Sequence, residues 1–266
     1  MNHRRKKVGL ALGSGGARGF AHIGVIKALQ EHNIPIDYIA GTSMGAIIAA
    51  YYALNLDIAG IEKESLSFTK RELLNLVDLN RPGISMLKGD RLRHFLKKLY
   101  RNKKFRHTKI PLSVGVSVLE DGSKMTINSG RIVDAAMASS TFPGVFPPVR
   151  YKGKTLVDGG LTNATPIDLV REMGAEIIIA VDLFKVQKTG KAKYNRIWKV
   201  LERTYEIALS NLSQYGEEYT HNGNVVLIGI GGNKADTFAF HKAEKYIRLG
   251  EEEARKKIRK IKRMLK

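Results

Sequence analysis

The pentapeptide Gly41-Thr42-Ser43-Met44-Gly45 constrains this chain more than any other segment. It has the form G-x-S-x-G, and its flanks are what that form requires. Ile36-Asp37-Tyr38-Ile39-Ala40 reads as a short apolar strand, and Ala46 to Leu54 as a helix apolar on nearly every side. A serine between such elements sits on a sharp, strained strand-to-helix turn that presents its hydroxyl to a cleft. Gly41 and Gly45 belong there because side chains at those positions would collide across the bend. Ser43 is therefore a candidate nucleophile; the bland alternative is a plain strand-to-helix turn rich in Gly and Ser.

Strand-like and helix-like segments alternate along the chain, which predicts an α/β fold with a largely parallel sheet. Val8 to Leu12, Ile36 to Ala40, Glu176 to Leu183 and Asn224 to Ile230 read as strands. Helices are expected over residues 20–32, 61–76, 131–139 and 196–219, and from Ala243 onward. Another opens at Asp90, a candidate N-cap, and buries Leu92, Phe95, Leu96 and Leu99. A further helix starts at Thr165-Pro166, with Thr165 as its cap. Residues 111–119 and 124–128 form a hairpin around Asp121-Gly122. The chain has 266 residues, for which one domain with a tail is expected. The expected divisions are a basic tail at 1–7, a catalytic core at 8–183 and a basic loop at 184–195. A helical and strand extension at 196–266 then packs on the core and ends in a basic amphipathic helix.

Charge narrows the partners. The net charge is +20, which favours polyanions: nucleic acid or the anionic face of a membrane. No zinc-finger pattern, aromatic-studded strand or recognition helix supports nucleic acid, which is left with composition alone. No cysteine is present, so disulfides, thiolate zinc sites and a cysteine nucleophile are excluded, and a cytoplasmic location is expected. No apolar run approaches the roughly 20 residues that span a bilayer. The C-terminal helix offers Ile247, Leu249, Ile258, Ile261 and Leu265 beside many Lys and Arg. That pattern fits peripheral contact with an anionic membrane face, and equally a solvated helix packing one side on the domain.

A serine nucleophile needs a base and donors for the developing oxyanion. Gly13-Ser14-Gly15-Gly16-Ala17-Arg18-Gly19 lies between the first strand and first helix, where backbone N–H groups form an anion site. A nucleotide-binding reading fails: no Gly-Lys-Ser/Thr ends the loop, and Arg18 stands where the dinucleotide pattern needs glycine. Asp37 then only imitates that fold's ribose-binding acid. For the base, a late histidine would be His221 or His241, both in polar surroundings. The other candidate is the carboxylate of Asp158-Gly159-Gly160, which closes a strand and enters a loop.

These separated motifs resemble the patatin-like phospholipase family, particularly small bacterial members related to the neuropathy target esterase group. Leu12 to Val25 is similar to the family's glycine-rich signature, Gly41 to Gly45 to its elbow, and Asp158-Gly159-Gly160 to its D-G-G/A motif. Pro143 to Pro148 and Asn163 to Pro166 fit as well, so the resemblance covers roughly 8–183. It implies a three-layer α/β/α fold with a mainly parallel sheet. It implies Ser43 as nucleophile and Asp158 as general base of a dyad, with Gly15, Gly16, Ala17 and Arg18 supplying the oxyanion hole. Gly13, Ser14, Gly19, Gly41, Met44, Gly45, Gly159 and Gly160 support the motifs, Ser14 replacing the first glycine of the usual G-G-G-x-R-G. The implied reaction is hydrolysis of a lipid acyl ester without metal or cofactor; the alternative is a lipid-binding regulatory module.

Overall fold

Strand β1 (Val8–Leu12) is buried along its whole length. Val8, Leu10 and Leu12 join one large core, whereas Ala11 joins a smaller core on the opposite face. A strand covered on both sides shows no polar alternation, which is why it reads Val-Gly-Leu-Ala-Leu. The computed structural model describes residues 4–67, 77–80, 83–184, 195, 197–218, 223–231 and 237–266. Most of the expected basic loop at 184–195, the end of the helix expected at 61–76, and His221 lie outside the described residues.

β2 (Tyr38–Thr42), β3 (Leu112–Val118), β7 (Ile177–Asp182) and β8 (Val225–Gly229) lie parallel with β1 in the order β3-β2-β1-β7-β8. Antiparallel strands are confined to the β3 end: β4 (Lys124–Ile127), β6 (Lys154–Asp158), and β5 (Val149–Tyr151) beyond β6. The fold is the mixed α/β, three-layer arrangement. Helices α1 (Ala21–Glu31), α2 (Met44–Asn55), α5 (Ile132–Ser139) and α8 (Ala243–Leu265) contribute to the large core. On the other face α6 (Ile167–Glu172) packs Ile167, Leu169 and Val170 against Ala11, Ala40 and Ile178. α3 (Ala59–Leu66), α4 (Asp90–Leu99) and α7 (Ile197–Glu218) complete the described helices.

Several boundaries differ from the sequence expectation for physical reasons. α4 is capped from a distance: Gly89 holds the N-cap position, and the Asp78 carboxylate accepts the N–H groups of Gly89 and Arg91 at 3.0 Å each. Asp90 is the first helical residue. α6 begins at Ile167 with Pro166 as N-cap, and the buried Thr165 hydroxyl caps nothing. The β5–β6 hairpin turns at Lys152-Gly153, both with positive φ, a turn that the lysine concealed.

Two glycines decide how the chain closes. A Cβ on Gly24 of α1 would lie 1.8 Å from the Ile247 carbonyl oxygen, and one on Gly250 of α8 would lie 1.9 Å from that of Ala21. The two helix backbones touch at this crossing. Tyr246, Ile247, Ala254, Ile258 and Ile261 of α8 are consequently buried, and Leu249 and Leu265 pack against the same core. The packing reading of the C-terminal helix holds, and the apolar contact proposed for a membrane is already engaged. The described part of the basic tail is anchored too. Arg5 grips Asp37 through two bonds of 2.6 and 2.8 Å, Lys7 adds one of 3.1 Å, and Lys6 Nζ donates to the Met264 carbonyl oxygen at 3.0 Å. Burial alone would raise the Asp37 pKa, but Arg5, the Val8 N–H and Lys7 outweigh it and hold it at about 2. Asp37 is thus the tail's anchor.

One edge of β3 positions the chemistry. β4 occupies one edge over Val114 to Ser117, so β2 and β6 share the other. β2 ends there with Thr42 opposite Gly115, and β6 ends with Asp158 opposite Val116. The two strands meet end to end, so the residue after Thr42 faces Asp158.

Candidate active site

Ser43 caps α2 with φ 56° and ψ −125°, a conformation that non-glycine residues adopt only when their surroundings enforce it. The enforcement is visible. A Cβ on Gly41 would lie 2.3 Å from the Gly45 carbonyl oxygen, and one on Gly45 would lie 2.1 Å from that of Leu12. The chain can cross itself at this bend only with glycine at both places. The Ser43 N–H donates to Ser139 Oγ at 2.8 Å, and the Ser139 hydroxyl donates onward to the Gly115 carbonyl oxygen at 2.6 Å. Ser139, fully buried, fixes the elbow's orientation. A serine directly after the apolar run Ala135 to Ala138, at a core position, was the available signal, and it was missed.

The Ser43 hydroxyl donates to Asp158 Oδ2 at 2.8 Å, and the Gly160 N–H donates to Oδ1 at 2.8 Å. Asp158 is only 2% exposed. Burial raises its pKa to about 6, against the opposing pull of the Gly160 N–H, the Ser43 hydroxyl and Tyr205. A carboxylate so tuned is a far better base near neutral pH than an ordinary one. Gly159 is required by close approach, since its Cβ would lie 2.1 Å from the Gly115 carbonyl oxygen. His241 is exposed on a short turn of 3-10 helix. Ser43 thus meets a carboxylate, and among the described residues no histidine bonds to either group.

The glycine loop follows β1, and its amides divide into two sets. Gly13 N–H donates to Val181 O, Ser14 N–H to Ala164 O, Ala17 N–H to Thr237 O and Arg18 N–H to Gly15 O. Those four are engaged. Gly15 and Gly16 N–H groups, and that of Met44 at the start of α2, make no hydrogen bond among the described residues. Of the four residues expected to supply donors, Gly15 and Gly16 are the two whose N–H groups are free among the described residues. Their backbones have no room for side chains: a Cβ on Gly15 would meet Leu183 at 2.3 Å, and one on Gly16 (φ +53°) would meet the Thr237 carbonyl oxygen at 2.4 Å. His22 braces the loop from beneath, its Nε2–H donating to the Gly13 carbonyl oxygen at 2.7 Å. Burial lowers the His22 pKa to about 4, so it stays neutral.

The Arg18 side chain lies over the Phe184 ring at 4.8 Å and pairs with buried Glu206 of α7 at 3.3 Å. Glu206 also takes Arg203 and Thr237, each at 3.3 Å. Arg18 thereby ties the loop to the C-terminal part of the chain.

Ser43 and Asp158 open into a cavity of about 320 Å³, walled largely by apolar side chains that include Phe20, Ile47, Leu92, Phe95, Phe142 and Phe238. α4 turns one side into it and α7 contributes Tyr205, whose ring packs on Phe142 at 4.2 Å. The buried Tyr205 hydroxyl lies close enough to Asp158 to favour its charged form, yet makes no hydrogen bond of normal length and angle. Sequence reasoning missed Tyr205, because nothing local distinguishes it from a packing aromatic.

A serine hydroxyl bonded to a buried carboxylate, with unengaged amides near the ends of parallel strands, is the arrangement that acyl-transfer chemistry calls for. The patatin-like phospholipase family model matches residues 10–171, which contain every one of these groups, and the chain belongs to that family. It is 31% identical over 205 residues to lysophospholipase nte1 of Aspergillus fumigatus, covering 74% of this chain and 14% of that protein. It is also 31% identical over 192 residues to human patatin-like phospholipase domain-containing protein 6, covering 70% and 14% respectively. The chain thus matches about a seventh of these curated relatives' length. VipD from Legionella pneumophila shares the fold with a TM-score of 0.62 at 16% identity, covering 96% of this chain and 67% of that one.

Proposed function

We propose that this protein hydrolyses carboxylic esters of phospholipids or lysophospholipids. The single observation that carries the reading is the 2.8 Å bond from Ser43 Oγ to the buried Asp158 at the foot of an apolar cavity. Asp158 accepts the hydroxyl proton as Ser43 attacks the ester carbonyl carbon. The oxyanion is held by the Gly15 and Gly16 amides, and the proton passes from Asp158 to the departing alcohol oxygen. Asp158 then takes a proton from water as the water oxygen attacks the acyl carbonyl carbon, and returns it to Ser43 Oγ as the Oγ–acyl bond breaks, which releases the fatty acid. The apolar wall takes the acyl chain. The lysophospholipase names of the relatives support a single-chain substrate.

An alkyl phosphonate probe should label Ser43 stoichiometrically, and lysophosphatidylcholine hydrolysis should stop when it does. Failure of labelling, with lipid still bound, would move the protein to the regulatory, lipid-binding reading.

The pH profile adds a second check. Asp158 must be ionised to act, so kcat/KM should rise with pH through about 6. Tyr205 favours the ionised form, so Tyr205→Phe should move that limb to higher pH and lower kcat/KM at pH 6 roughly threefold. Tyr205 acts here as a positioning residue. An unchanged profile would reduce it to packing.

A further inference from the structure

We infer that the protein seats on an anionic lipid bilayer through the rim of this cavity, using the exposed apolar side chains of the bridged stretches 77–80 and 83–88 and the basic outer stripe of α4. The inference rests on the lipid-ester reading above. Between the two stretches Leu79 pairs with Leu87 in a bridge, the Asn80 N–H donates to Met86 O, and the Lys88 N–H donates to Asp78 O. One part builds the cavity: Val77 and Leu87 line it, while the Met86 and Leu87 N–H groups donate to Gly144 O and Val145 O. The rest faces solvent. Leu79 is 75% and Ile84 78% exposed, the two most exposed large hydrophobic side chains among the described residues, and Met86 is exposed beside them. Such a cluster gains nothing from water and is matched by an acyl boundary.

Charge says what kind of surface covers it. Residues 84–109 hold ten Lys and Arg against one acidic residue, Asp90. Leu92, Phe95, Leu96 and Leu99 of α4 line the cavity, while Lys97 and Lys98 are exposed and form no ion pair among the described residues. One helix therefore offers acyl-chain contact inward and headgroup contact outward. α8 is the competing surface and fits worse. Its apolar side is buried on α1, and its basic end, beside Lys6, is about 34 Å along the helix from the start next to cavity-lining Phe240. A bilayer bound at that end would leave the cavity facing away.

The test measures sedimentation of full-length Ser43→Ala protein with vesicles of phosphatidylcholine containing about a third phosphatidylserine. Adding Leu79→Asp and Ile84→Asp should weaken binding on the order of a hundredfold. Lys97→Glu with Lys98→Glu should weaken it about tenfold at low salt, with little change on neutral vesicles. Arg259→Glu with Arg263→Glu on α8 should leave it unchanged. In the Ser43 background, the same rim substitutions should leave hydrolysis of a soluble short-chain ester within about twofold, since none of these side chains lines the cavity. Unaltered vesicle binding by the rim variants, or loss through the α8 variant instead, would overturn the proposal. Rim-dependent binding in a protein that cleaves no soluble ester would uphold the docking surface and remove the hydrolase reading.

Discussion

Replacing Asp158 by Asn is expected to lower ester hydrolysis about 10³- to 10⁴-fold and, in the same protein, to raise stability above pH 7. The loss follows because an amide cannot take the Ser43 proton, although it fits the same space. The gain follows from linkage. The folded protein holds Asp158's proton more tightly than the unfolded chain, since burial raises the pKa to about 6 from an ordinary 3.8. Its contribution to stability is fully present below the unfolded value and is lost as pH rises through about 6. Once ionised, the buried carboxylate costs about 3 kcal/mol, at 1.36 kcal/mol per pKa unit. The neutral amide of the Asp158→Asn variant would escape that cost. The denaturation midpoint of the variant should exceed the parent's at pH 8, and the gap should close toward pH 4. Comparing two proteins at each pH also removes His22, which is common to both. Its lowered pKa gives stability that is full above about 6.5 and is lost as pH falls through about 4. A parent more stable than the variant at pH 8 would show that the ionised carboxylate is fully compensated in place.

The second large effect lies at the crossing of α1 and α8. Gly24→Val should destabilise the fold by more than about 4 kcal/mol, because the added side chain meets the Ile247 carbonyl oxygen and the Glu251 N–H. Both are helical backbone and neither moves without lifting α8 from α1. Gly24→Ala is the milder case, with an expected loss of about 2–3 kcal/mol measured by urea denaturation. Gly229→Ala is the control: a Cβ there meets nothing within 4 Å, so its change should stay within about 0.5 kcal/mol. Equal midpoints for Gly24→Ala and Gly229→Ala would mean that the helix crossing is looser than the distances indicate.

The elbow was legible because its cause is local. Gly41 and Gly45 are separated by four positions and clash with neighbours in the same turn or at the end of the adjacent strand. Asp158 could be singled out from Asp121 because only Asp121 sits between alternating strands. Which loop amides stay free was only partly legible. The Arg18 N–H is taken by Gly15 O within the loop itself, whereas the acceptor of the Ala17 N–H, Thr237 O, lies 220 positions away. Caps behaved likewise, since Asp78 displaced Asp90 through contacts that no window around Asp90 contains. The C-terminal helix was ambiguous by nature, because an apolar stripe beside basic residues has the same period whether it meets lipid or α1. Gly250 was the clue to α1: a glycine amid so long a helical run calls for a close neighbour.

The contact between Lys6 and Met264 has a consequence for how such a module can be joined to others. The described first and last segments emerge side by side at one pole, while the elbow and the cavity occupy the ends of the parallel strands at the other. A host polypeptide can thus carry this unit on a pair of adjacent connectors, as a hinge carries a door, without anything crossing the mouth.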